Sequence, residues 1–380
     1  MGQTDPLTAQ RQIMLSLAYL AYAGELLPPF PSPDAQIAVL VDDGLTDTTQ
    51  YPTIANEWTR VWGPVTWTVP GASGQDNMMY VAKTTPASQL VQYAVAVRGT
   101  NGKVYLDWLI EDFDISPMVP WIVGGTTQAG SISESTNIGI TILQQMVDAT
   151  SQQTLFAFLA AEIQALPGGT TAAVHFVGHS LGAAISSALA LHARDQQPAW
   201  DPNEAATVTC TNFAGPTAGD AAYASYLETA FAIGGTAPAW WTSPQTTSPS
   251  FADFVRQPLD VAPLGWNETT MATVPDLYDG IGVNLGWGDW SVAQGVLGII
   301  DYFIGSNGYT QPFASAPQLT PMSDPDIPAN PPEGFETFAE EAEWQHSTSY
   351  PTILGCASIL GSETMPPVVK RLRVASARAR

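Results

Sequence analysis

The chain is poor in cysteine, basic residues and histidine, and it has no long unbroken hydrophobic run. Its two cysteines, Cys210 and Cys356, are too few for a disulfide framework and cannot build a zinc site alone. Cys210 sits in the apolar run ATVTCTNFAG and reads as a buried, inert thiol. No window reaches the ~20 apolar residues that span a bilayer. The nearest, residues 292–304, is short and interrupted by Gln294 and Asp301, so no integral membrane segment is expected. Lys and Arg number 12 against 35 Asp and Glu, and Lys370, Arg371, Arg373, Arg378 and Arg380 all fall in the final stretch. The body of the chain is therefore strongly acidic and repels phosphate backbones, which argues against nucleic-acid binding. Residues 370–380 read as a solvated basic tail.

Hydrophobic residues make up 45% of the chain, enough for one extensive core. The stretch RQIMLSLAYLAYAG outwardly resembles a signal peptide, with an apolar run and an A-x-A at Ala21–Ala23. Asp5 upstream and the interruptions at Ser16, Tyr19 and Tyr22 oppose that reading. Ile13, Leu17, Leu20 and Leu27 instead fit one face of a structural first helix.

Strand-like runs occur at Ala38–Val41, Met78–Ala82, Gln92–Val97, Ala173–Val177 and Thr207–Phe213. Helix-like runs occur at Asn137–Ala149, Thr154–Leu166, Leu181–Arg194 and Ala221–Ile233. Their alternation from residue 78 to 233 predicts an α/β fold with a largely parallel sheet, built as one domain over 1–380. Residues 264–332, rich in tryptophan and proline, read as an insertion on that scaffold, serving either core packing or substrate binding.

VHFVGHSLGAAIS, residues 174–186, contains Gly178-x-Ser180-x-Gly182. The three-residue pattern is weak alone, but here an apolar β-branched run precedes it and an alanine- and leucine-rich run follows. That predicts a strand, a sharp turn and a helix, with Ser180 exposed at the turn as a nucleophile and the helix N-terminus favouring an oxyanion. A serine is nearly inert without a base nearby, and the chain has four histidines. His179 adjoins Ser180, so its side chain diverges at the turn. His192 lies about 18 Å down the following helix, and His175 lies about 16 Å back along the strand. His346, in EAEWQHSTSYPTIL, is the one able to return from a distant loop as the base.

The acid that orients such a histidine usually falls between nucleophile and base in chain order. Candidates include Asp220, Asp253, Asp260, Asp276, Asp279, Asp289 and Asp301. Asp260 stands out, with Asp253 next, because Phe254–Leu259 reads as a short strand and active sites collect at the carboxyl ends of such strands.

Four separated segments resemble the class 3 lipases, the family of the fungal triacylglycerol lipases. AVAVRGTNGKVYLDWLIEDFD resembles the family's oxyanion segment and lid, and VHFVGHSLGAAISSALA its nucleophile turn. CTNFAGPTAGDAAYASYL resembles the strand and loop after it, and FVRQPLDVAPL the segment bearing the triad acid. His346, ahead of Tyr350, resembles the late histidine. The resemblance implies an α/β-hydrolase fold and a Ser180–His346–Asp260 triad. It also implies an oxyanion hole from the backbone N–H groups of Thr100 and Leu181, with Gly178 and Gly182 as turn glycines. Residues 101–133 become the lid region, in which Tyr105, Trp108 and Leu109 contribute an apolar face beside Asp107, Glu111 and Asp112. Arg98 reads as a structural ion-pair residue holding the oxyanion loop rather than a substrate clamp.

The implied activity is hydrolysis of lipid carboxylic esters at an oil–water interface, with no metal or organic cofactor and a lean toward secretion. A phospholipase A1, an esterase for short-chain or aromatic acids, and an inactive lipase-like binding module are the alternatives. A bound calcium lacks the loop of spaced acidic residues that would hold it. Residues 264–332 match nothing in the family, which leaves acyl and head-group preference open.

Overall fold

A computed structural model describes residues 4–25, 27, 32–68, 77–84, 89–99, 117–245, 247–278, 307–325 and 335–361. The chain opens with helix α1 (Pro6–Leu20). Asp5 caps it, accepting from the N–H groups of Leu7 and Thr8, and Pro6 occupies the first turn, where a missing N–H costs nothing. Helix α2 (Asp34–Gly44) follows. It corrects the strand expected at Ala38–Val41. The four-residue apolar run is too short to distinguish a strand from a buried helix turn, and Ile37 and Val41, one turn apart, are the residues that meet the core.

Six strands form the main sheet, in the order β1-β2-β3-β6-β7-β8. They are β1 (Trp58–Trp67), β2 (Asn77–Thr84), β3 (Leu90–Val97), β6 (Thr171–His179), β7 (Ala206–Phe213) and β8 (Ala252–Val255). β3, β6, β7 and β8 run parallel, while β1 and β2 extend the sheet antiparallel. β1 escaped sequence reading because Gly63 and Pro64 interrupt it, and the register shifts between Trp62 and Val65. β8 ends at Val255, short of the expected strand to Leu259, so Asp260 lies on a loop beyond it. Residues 117–133, the second half of the expected lid region, form a two-stranded antiparallel hairpin, β4 (Met118–Val123) and β5 (Thr126–Ser133).

Both faces of the sheet are covered, as parallel strands require. Alternate residues divide between two cores: Tyr93, Val95 and Val97 of β3 face one, Ala94 and Ala96 the other. Helices α3 (Glu134–Gln145), α4 (Leu155–Gln164) and α5 (Leu181–Asp195) contribute to the first core, while α1 and α2 pack in the second with Tyr350. α5 is nearly all small or aliphatic from Gly182 to Leu191 and is buried over that span, which lets it lie close on the sheet. Helix α6 (Ala221–Ala230) follows β7. The described parts of 264–332 contribute buried Trp266, Met271, Tyr309 and Phe313, the last against Phe254 of β8. Among the described residues, no helix is long and apolar enough to cross a membrane, and no cluster of metal-ligating side chains is present.

Candidate active site

β3, β6, β7 and β8 run parallel, so their carboxyl ends lie along one edge of the sheet, where active sites of such folds collect. Ser180 stands at the end of β6 with φ 61° and ψ −136°, a conformation costly for a residue with a Cβ. The surroundings hold it there: its N–H donates to the Phe213 carbonyl at 2.9 Å, and its own carbonyl accepts from Ala183 at 2.9 Å as α5 begins. Gly178 and Gly182 are required on each side. A Cβ on Gly178 would collide with the Gly182 main chain, and one on Gly182 would lie 2.5 Å from the Val97 carbonyl. Gly99 is as tightly placed, since a Cβ there would fall 2.6 Å from the Tyr22 hydroxyl and 3.2 Å from the Ser180 Cβ. The segment leading into Thr100 therefore lies directly beside the serine. Thr100, Tyr105, Trp108 and Leu109 lie outside the described residues. Arg98, just before Gly99, is buried behind the turn, and its charge acts on Tyr22.

His346 arrives on a turn of π-helix, Trp344–Thr348, that follows helix α7 (Phe335–Glu343). Its Nδ1 lies 3.1 and 3.2 Å from the two carboxylate oxygens of Asp260. A carboxylate accepts, so Nδ1 carries the proton of the neutral ring and Nε2 is left with a lone pair. Asp260, wholly buried, also accepts from the Tyr350 hydroxyl at 2.8 Å and the Ala262 N–H at 3.0 Å. Those donors hold its plane toward the imidazole. The other leading acid, Asp253, is bonded elsewhere: Arg11 of α1 grips it in a bidentate pair at 2.7 and 2.9 Å.

The remaining histidines are neutral side chains with assigned partners. His175 sits between Thr209 at 2.7 Å and Gln92 at 3.0 Å, and burial pushes it down to about 3. His192 lines a surface pocket with Phe156 and Trp200, and burial lowers it as well. His179 turns away from Ser180 into a packed aromatic group, 5.0 Å from the ring of Tyr19 and 4.6 Å from that of His346. Its Nε2 is 2.9 Å from the His346 carbonyl. The base candidate is thus tied by its main chain to the residue preceding the serine. Sequence reading missed the surrounding tyrosines. Tyr350, one helical turn past His346, was recoverable from spacing; nothing in the sequence marks Tyr19 or Tyr22. Both cysteines are buried and unpaired with each other.

Residues 94–234, which hold the Ser180 turn and the oxyanion loop, match the family of class 3 lipases. That match, together with the lipase-like fold, marks the chain as a carboxylic ester hydrolase. The family match stops short of Asp260 and His346, so the positions of those two rest on the geometry above. The fold is similar to that of the M37 lipase crystal structure, with a TM-score of 0.71 and 26% identity over 91% of this chain and 92% of that one. The Rhizomucor miehei lipase propeptide complex aligns over 69% of this chain and 64% of its own, at 16% identity and a TM-score of 0.42. No curated protein matches the chain.

Proposed function

We propose that this chain is a class 3 lipase that hydrolyses triacylglycerol-type esters through an acyl-enzyme, with Ser180 as nucleophile, His346 as base and Asp260 orienting the imidazole. His346 Nε2 takes the Ser180 proton as the hydroxyl attacks the ester carbonyl. The tetrahedral oxyanion is met by the backbone N–H groups of Leu181, at the start of α5, and of Thr100. His346 then protonates the departing alcohol, water repeats the attack on the acyl-serine, and the free acid leaves. These steps need neither metal nor organic cofactor.

The observation that supports the reading best is the pairing of His346 with a buried, triply bonded Asp260, while the same His346 is bonded through its carbonyl to the neighbour of Ser180. The strained serine beside Gly99 and Gly182 adds to it. In this reading the apolar face around Tyr105, Trp108 and Leu109 covers the serine in water and turns outward at a lipid surface.

Ser180→Ala and His346→Ala are each expected to lower kcat by at least about 10³-fold, because such groups act as a unit. Turnover of p-nitrophenyl esters of increasing chain length, beside triolein emulsion and phosphatidylcholine, measures the loss and the preference together. Near-native turnover in either variant removes the assignment. Faster cleavage of phosphatidylcholine than of triolein replaces the triacylglycerol reading with a phospholipase.

A further inference from the structure

The carbonyls of His346 and Ser347 are consecutive on the turn that carries the base. Pro351 has no N–H, so the Ser347 carbonyl, four residues back, receives nothing from it. Side chains from distant parts of the chain reach both carbonyls. The Tyr19 hydroxyl donates to the Ser347 carbonyl at 2.5 Å, and His179 Nε2 meets the His346 carbonyl at 2.9 Å.

The protonation of His179 follows from its partners. A carbonyl only accepts, so Nε2 carries a hydrogen. The Tyr22 hydroxyl lies 3.1 Å from Nδ1, and burial pushes Tyr22 up and His179 well down, so the first stays protonated and the second neutral. Nδ1 is then bare and faces the Tyr22 hydroxyl, whose hydrogen is shared between Nδ1 and the His179 carbonyl, 3.2 Å away. The ring is held as one tautomer, enclosed by Tyr19, Tyr22, His346 and Tyr350.

We propose that His179 is a positioning residue for the reaction: its Nε2–H, donated to the His346 carbonyl, sets the distance between the base and the adjoining Ser180. The proposal rests on the Ser180–His346 reading given above. His179 moves no proton in it. A rigid ring bridges the nucleophile turn and the base turn, so a shift in one is passed to the other, and a misplacement of about 1 Å at such a site costs up to about 10²-fold in rate.

The test uses the full chain and soluble p-nitrophenyl butyrate. His179→Phe keeps the ring volume and removes the donor; kcat is expected to fall about 10- to 100-fold with KM within about twofold. His179→Gln, whose amide nitrogen reaches to the place of Nε2, is expected to recover at least half of the loss on a logarithmic scale. Loss of kcat in the phenylalanine variant without recovery by glutamine, or wild-type kcat in the phenylalanine variant, overturns the proposal. Should the phenylalanine variant fail to fold, nitrogen-15 spectra of the wild-type imidazoles decide. A single Nε2–H tautomer of His179 between pH 5 and 8 supports it, and a titrating ring or an Nδ1–H tautomer overturns it. Full activity in Ser180→Ala or His346→Ala would instead overturn the underlying reading, independently of His179.

Discussion

Asp253 and Asp260 stand seven residues apart, and both are wholly buried, yet their partners differ. Asp253 neutralises Arg11 in a bidentate pair that docks α1 on β8. Asp260 faces His346 and Tyr350. Asn at 260 presents an amide where the imidazole needs an acceptor, and kcat is expected to drop by about 10³-fold or more. Asn at 253 leaves the Arg11 guanidinium buried without its charge partner, a loss of about 3–5 kcal/mol, while kcat of the folded enzyme stays within a few-fold of the wild type. Calorimetry and steady-state kinetics on the two variants separate the effects; similar changes in both would show that the acid has been misplaced. Sequence narrowed the acid to these two by their nearness to a strand end. It could not see Arg11, which is 242 positions away from Asp253.

At the scale of elements, legibility followed how local the cause was. The turn at Ser180 was readable because its glycines are demanded within five residues, by contacts of Gly178 with Gly182 and of Gly182 with the end of β3. α5, with its long small-residue run, was equally plain. α2 was misread because four apolar residues carry too little periodicity, and β1 was missed because Gly63 and Pro64 break its pattern. The β4–β5 hairpin hid inside a segment whose polar Thr and Gly content looks like loop. The end of α7 holds a further consequence of burial. Glu343 lies in the turn before His346 with its Oε1 buried and without a hydrogen-bond partner, and burial raises its carboxyl to about 8. The folded state holds that proton more tightly than the unfolded chain, so stability from this group is full below about pH 4.5 and is lost as pH rises to about 8. Glu343→Gln is expected to flatten that decline and raise the melting temperature at pH 8 by at least about 2 °C. A wild-type and variant pair melting alike across pH 5 to 9 contradicts it.

Across the molecule, the buried histidines contribute the opposite slope on the acid side. His175, His179 and His192 are all lowered by burial, so each takes up a proton on unfolding below its ordinary range. Their stability contribution is complete above about pH 6.5 and is lost as pH falls; for His175 the loss runs down to about pH 3. Each fully engaged histidine adds at most about 1.4 kcal/mol per pH unit to the slope. His175→Gln is expected to reduce the slope of unfolding free energy between pH 4 and 6 by about that amount, read from urea melts at several pH values. An unchanged slope would mean that the buried ring is already charged. The fold class was legible at this scale because strand and helix patterns alternate over the same residues that match the family, while the pairing of α1 with the late His346 turn had no signature in either segment.

That pairing has a consequence for how the protein comes into being. The groups gathered around the serine and its partners include residues 19–22, 178–182, 260–262 and 346–350, so Tyr19 waits for a carbonyl 328 positions later. During synthesis Ser180, the proposed nucleophile, emerges long before His346, the proposed base. In the proposed reading, hydrolytic power then arrives late, once the His346 turn has closed against the first helix.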